Sequence, residues 1–170
     1  MIQLAADENL IAVFRKHNFY FAVKIFSLII LALLPLFLYP VLLTVNAIAV
    51  SGINYLLLFF YVIFITLLWI TGFVFWTNYY LDIWILTDKS LIDVDQIGLF
   101  SREVASLRLD KIQDIKVETI GILDTMLHIG TVHVQTAGNE KEFVIPQVDS
   151  PDQVKDLIQS ACNNLRAAGN

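Results

Sequence analysis

Apolar positions follow two different rhythms along the chain, and the change falls near Leu81. From Ile25 to Leu81 there is no Asp, Glu, Lys, Arg or His, an unbroken run of 57 residues. A helix on the surface of a soluble domain needs a polar face, which this run does not offer. A bilayer core is about 30 Å thick and takes about 20 helical residues. The run is therefore too long for one crossing and too short for three with turns. It predicts a two-helix hairpin over residues 21–80, with spans near Ile25–Val45 and Tyr55–Trp76. Between them Asn46–Asn54 (NAIAVSGIN) brings Ser51 and Gly52 together with two asparagines, a turn composition. Pro35 and Pro40 fall in the first span, where prolines are tolerated and bend a helix. Trp69, Trp76, Tyr79 and Tyr80 gather toward the end of the second, as interfacial aromatic residues do.

After Leu81 the period becomes two. Ile83 and Ile85 alternate with Asp82, Trp84 and Leu86, although Trp84 and Leu86 leave neither face polar. Ile92 and Val94 alternate with Asp93 and Asp95, and Leu107 and Leu109 flank Arg108. Ile115 and Val117, Val132 and Val134, then Phe143 and Ile145 continue the pattern. Such segments are half-buried antiparallel strands. Thr87–Ser90, Gly98 and Ala137–Glu140 supply turn signals between them, and Thr119–His128 reads as a loop or short helical turn. Ahead of the hairpin, Leu4–Phe21 is weakly amphipathic and predicts a surface helix, so residues 1–20 read as a juxtamembrane segment. At the other end Ser150-Pro151-Asp152-Gln153 offers an N-cap, a first-turn proline and a capping-box glutamine. Val154, Leu157, Ile158, Ala161, Cys162 and Leu165 then form one apolar helical stripe. Residues 81–170 thus predict an α+β domain of six or seven short strands plugged by a C-terminal helix.

Composition agrees: 57% of the 170 residues are hydrophobic and the mean hydropathy is +0.68. A signal peptide ending at Ala47-Ile48-Ala49 is the competing reading, but the apolar stretch is about twice the usual length. Basic residues stay cytoplasmic. Arg15, Lys16 and Lys24 precede the first span, Lys89 follows the second and the connecting turn has none. Both termini are therefore expected inside, in a cytoplasmic membrane. A lone Cys162 suits a reducing compartment. From Asp82 onward eight bases face fourteen acids, a net −6, which excludes nucleic acid as an expected partner.

Candidate chemistry is sparse. His128 and His133 lack the three or four ligands of a zinc site, so no metal is expected. Cys162 lies on the apolar stripe and reads as a core residue rather than a nucleophile. The seven glycines are scattered and form no phosphate loop. No catalytic residue, cofactor or small-molecule substrate is expected. Lys89, Arg102, Arg108, Lys111 and Lys116 would make an anion or partner site if they met on one edge, although interleaved acids offset them. Lys24, Trp76, Tyr79 and Tyr80 are the expected anchors at the membrane interface.

Several segments are family-like: Asp7-Glu8 with Val13-Phe14-Arg15-Lys16-His17, Leu86-Thr87-Asp88-Lys89-Ser90-Leu91-Ile92, Leu109-Asp110-Lys111-Ile112-Gln113-Asp114-Ile115 and Ile129–Gly138. Together they resemble the bacterial membrane-flanked family of pleckstrin-homology-like domains, the YdbS-like group, over nearly the whole chain. The resemblance implies a bent seven-stranded PH-like barrel or sandwich closed by the C-terminal helix. It also implies a module that binds a protein, a peptide or its own copies, in envelope assembly or stress protection. Lipid-headgroup binding is the alternative, and Lys89 is then the single base in the first hairpin, where phosphoinositide-binding relatives gather several.

Overall fold

The computed structural model describes residues 8–44, 51–136 and 142–168. The signal-peptide site Ala47–Ala49 and the turns at 46–50 and Ala137–Glu140 lie outside the described residues. The chain divides into two compact units: residues 18–77, and the flanking segments up to His17 and from Asn78.

The first unit is a pair of helices, α1 (Asn18–Thr44) and α2 (Ser51–Leu81), each longer at its outer end than the spans expected from hydropathy alone. Both prolines lie inside α1, and Ser51–Asn54 is already helical. The helices run antiparallel. Phe21 meets Trp76 edge-on at 5.7 Å, Lys24 Nζ sits 5.4 Å from the Phe75 ring, and the Tyr61 hydroxyl donates to the Ala32 carbonyl at 3.3 Å. Stretches of 23 and 28 residues are long and apolar enough to cross a bilayer.

The second unit contradicts one expectation outright. Leu10–Phe14 is not helical but a strand, β1, paired antiparallel with β2 (Ile83–Thr87) on the far side of the helix pair. Among the described residues, Leu10–Phe14 thus joins the sheet that follows the hairpin, and Asn18–Phe21 already belongs to α1. β3 (Ser90–Ile97) and β4 (Ser101–Arg108) extend this sheet in the order β1-β2-β3-β4. A 3-10 turn at Leu109–Lys111, not a continued strand, leads to a second sheet of β5 (Ile112–Glu118), β6 (Ile129–Thr136) and β7 (Phe143–Asp149). The loop between β5 and β6 carries a short helix, α3 (Ile122–Leu127), and α4 (Pro151–Ala168) ends the fold. The seven strands form a four-plus-three sandwich rather than a closed barrel. A single bridge, Lys16 with Val148, and the His17 N–H donating to the Gln147 carbonyl tie β1 to β7.

The core lies between the sheets and under α4. Phe14, Trp84, Leu86, Leu91 and Leu107 come from the first sheet, Ile115, Val132, Val134 and Ile145 from the second. α4 adds Val154, Ile158, Ala161 and Cys162. Leu157 stands at the edge of the stripe and stays 43% exposed. β2 is apolar on both faces for a concrete reason. Trp84 and Leu86 fill this core, while Ile83 and Ile85 join Ile92 and Val94 in a second cluster on the opposite face.

Two local devices set the joints. A Cβ on Gly130 would lie 2.8 Å from Pro151 Cγ and 2.9 Å from Thr119 Oγ1, so only glycine lets β6 pass the start of α4. Pro151 does open α4, but the expected side-chain cap is absent. The Ser150 hydroxyl donates to Asp149 Oδ1 at 3.4 Å, and its carbonyl accepts the Gln153 and Val154 N–H groups.

Candidate functional site

The family-like Thr87–Ser90 segment forms the β2–β3 turn. Thr87 Oγ1 accepts the Ser90 N–H and donates to the Ser90 carbonyl, both at 2.9 Å, which pins the turn from within. Asp88 reaches across to the N-terminal segment: Oδ1 accepts the Asn9 N–H and Oδ2 the Asn9 side-chain amide, each at 3.0 Å. These bonds hold the Asp88 carboxyl below its usual range. Glu8 Oε2 accepts the Ser90 hydroxyl at 3.3 Å. Glu8 and Asn9 on one side and Thr87–Ser90 on the other are therefore two halves of one clasp.

Of the five candidate bases, three share this end of the domain. The Lys89 carbonyl accepts the Leu109 N–H, Arg108 pairs with Ser90 across the β3–β4 ladder, and Lys111 closes the 3-10 turn. Each has an acid nearby. Asp88 precedes Lys89, and Arg108 donates through Nε and Nη2 to both oxygens of Asp110, at 3.1 and 2.9 Å. Arg102 lies at the opposite end of β4, and Lys116 is on β5 opposite His133. The five do not converge. Of the four expected anchors, Lys24 contacts Phe75, Trp76 contacts Phe21, and the Tyr79 and Tyr80 rings meet edge-on at 5.4 Å. All four lie on α1 or α2.

His133 faces outward as expected, flanked by Glu118 (Nε2 to Oε2, 3.2 Å) and Glu142 (Nδ1 to Oε1, 3.2 Å). His128 ends α3 in the left-handed conformation, φ 55°. Among the described residues no three His, Cys, Asp or Glu side chains come together to hold a metal ion. Cys162 is buried, and burial pushes its thiol up.

Alternation along single strands gives no hint of an acidic cluster at the joint between β1 and β2. Asp82 is 5% exposed; its Oδ2 accepts Lys16 Nζ at 2.8 Å and its Oδ1 accepts the Gln96 N–H at 2.8 Å. Lys16 Nζ also lies 5.6 Å from the Trp84 ring, across from Asp93. Burial first, then the neighbouring Asp95, pushes the Asp93 carboxyl up to about 6. Burial, then Asp82, raises Asp95 as well.

An acid with a raised folded-state pKa is protonated in the native state while the unfolded chain has already lost its proton. Stability therefore falls as pH rises from about 4 through about 6. Asp93→Asn should flatten this dependence and add about 1 kcal/mol at neutral pH, a figure reduced for the partial exposure of the group. Thermal melts of the full chain in mild detergent at pH 5 and pH 7.5 would show it. An unchanged pH difference in the variant would refute the assignment.

β4 has the most exposed residues of any described strand. It ends the four-stranded sheet, and among the described residues no strand pairs with its outer edge. Every residue from Ser101 to Ser106 is exposed, and Leu107 alone turns into the core. A row of N–H and C=O groups on such an edge is a template for a further strand.

A family model described as bacterial PH domain matches residues 10–161, so the match includes β1 and both helices. Among solved structures, a protein with a pleckstrin-homology domain from Shewanella loihica is 24% identical, with a TM-score of 0.38. That match covers 49% of this chain and 69% of that one. A pleckstrin homology domain from Shewanella amazonensis is 22% identical, with a TM-score of 0.38, over 47% of this chain and 66% of that one. Among curated proteins none matches. The match thus runs from β1 through both helices and the later strands to Ala161 within α4, and the chain belongs to the bacterial PH domain family.

Proposed function

We propose that this chain is an interaction module anchored in the bacterial cytoplasmic membrane by α1 and α2, with the β unit and both termini on the cytoplasmic side. Its partner is a protein segment or a second copy, received as an added strand on the outer edge of β4. PH-like domains mediate protein or lipid interactions and are typically non-catalytic, which suits the lack of a catalytic constellation among the described residues. The exposed, unpartnered edge of β4 carries the reading. Arg102 and Arg108 on that strand would meet acidic side chains of the incoming segment. The family resemblance points to the cell envelope as its setting. Tethering raises local concentration, so individually weak contacts suffice. Headgroup binding is less well supported, because acids accompany Lys89 and Arg108 and the remaining bases are dispersed.

The test is photocrosslinking in cells from the full chain at native abundance. A photoreactive residue at Arg102 or Val104 should capture a defined protein or a second copy. The same residue at Gln159, exposed on α4, should not. Equal capture from all three positions, or none from β4, would remove the reading.

A further inference from the structure

Strand register fixes which loops share an end of the β unit. Ile83 opens β2 directly after α2 and pairs with Val94. β3 then continues past that level to Ile97 before the Gly98–Phe100 turn returns it as β4. The tip of this hairpin therefore lies at the end where the chain arrives from α2. β1 leaves at the same end. Phe14 pairs with Trp84, Lys16 binds Asp82, and α1 starts at Asn18. Lys16 also bridges Val148, which pairs with Gly130 in the first turn of β6. Glu118 at the end of β5 pairs with Thr131. The loop that carries α3, between Glu118 and Ile129, consequently belongs to this end too.

Both loops are apolar and open. At the hairpin tip Phe100 is 97% exposed, flanked by Ile97 and Leu99. In the α3 loop Ile120 and Met126 are each 71% exposed and Ile122 81%. α3 buries none of its residues. The turns at the other end behave oppositely. Thr87–Ser90 and Arg108–Lys111 bury Thr87, Ser90 and Leu109 and expose charged Lys89, Arg108, Asp110 and Lys111. Scattered exposed apolar residues are ordinary. Eight in two loops at the end that joins the apolar helices, Leu123 and Leu127 included, are not.

We infer that these two loops are a second membrane contact: Phe100 with Ile97 and Leu99, and Ile122 with Ile120 and Met126, enter the interfacial layer of the bilayer that α1 and α2 cross. The occupant is lipid because strand pairing sets each loop beside a point where the chain passes into those helices: Val94, three residues before Ile97, pairs with Ile83 after α2, and Gly130, just past the α3 loop, pairs with Val148, which Lys16 bridges ahead of α1. Aromatic and aliphatic side chains are also what the interfacial layer accepts. The contact rests on the reading of α1 and α2 as spans, and it would limit the swing of the β unit about its two connections.

The experiment uses the full chain in phosphatidylcholine–phosphatidylglycerol vesicles. Cysteines introduced one at a time at Phe100, Ile122, Lys111 and Trp69 are spin-labelled, with the parent protein as the blank for buried Cys162. Unchanged circular dichroism melts confirm folding. Collisions with oxygen report lipid, and collisions with a nickel chelate report water. Labels at 69, 100 and 122 should favour oxygen, deepest at 69, while 111 favours nickel. Nickel access at 100 or 122 equal to that at 111, with 69 in lipid, overturns the inference and leaves the spans standing. Loss of access to both reagents at 100 and 122 means a protein contact and overturns it as well. Nickel access at 69 removes the spans themselves, and this inference with them.

Discussion

A fragment that starts at Asn78 is expected to fail to fold, although it holds six of the seven strands and all of α4. Removing β1 exposes the edge of β2, strips Phe14 from Trp84 and takes Lys16 from buried Asp82. Leaving a buried carboxylate unpaired costs about 3–5 kcal/mol when the pair is fully buried, and somewhat less here because Lys16 is partly exposed. Losing the Phe14 ring adds about 3 kcal/mol. A domain of this size has only about 5–15 kcal/mol to lose. Fusing residues 8–17 to Asn78 through a flexible Gly/Ser linker should restore cooperative melting. If both forms show the same melting temperature and the same dispersed amide spectrum, β1 is dispensable and the discontinuous domain is wrong.

The second large effect is expected on α4. Ile158 is fully buried on the helix that packs against β5 and β6, and Ile158→Ala should cost about 2–5 kcal/mol through lost contacts and the cavity left behind. Leu157, one position earlier but 43% exposed, should cost about 0.5 kcal/mol when changed to Ala. Hydrogen exchange of the β5 and β6 amides, on which α4 packs, reads both values in the intact protein. Similar exchange in the two variants would mean that α4 does not hold the second sheet.

The contrast between α4 and β1 explains what could be read from the residues alone. α4 has a period, a proline at its first position and a stripe that meets the core at four places. β2 to β7 have alternation and turns. β1 has neither: Leu10-Ile11-Ala12-Val13-Phe14 is apolar throughout and adjoins the helical run, so no period separates strand from helix. Its partner is fixed by pairing across the whole helix pair, which no local pattern encodes. The same limit applies to side-chain clusters. His133 between Glu118 and Glu142, and Lys16 among Asp82, Asp93 and Asp95, follow from cross-strand register, not from spacing along one strand. The scatter of the five bases has the same origin.

The clasp between Asn9 and Asp88 joins positions 79 apart in the chain. A ribosome delivers the first of these long before the second. β1 must therefore wait for its β2 partner while both helices are made, and the sheet can close only when β2 emerges. With α1 and α2 as the membrane spans proposed above, insertion and folding would be coupled in order. Until β2 is made, the apolar strand Leu10–Phe14 has no partner for the pairing that it makes in the folded domain.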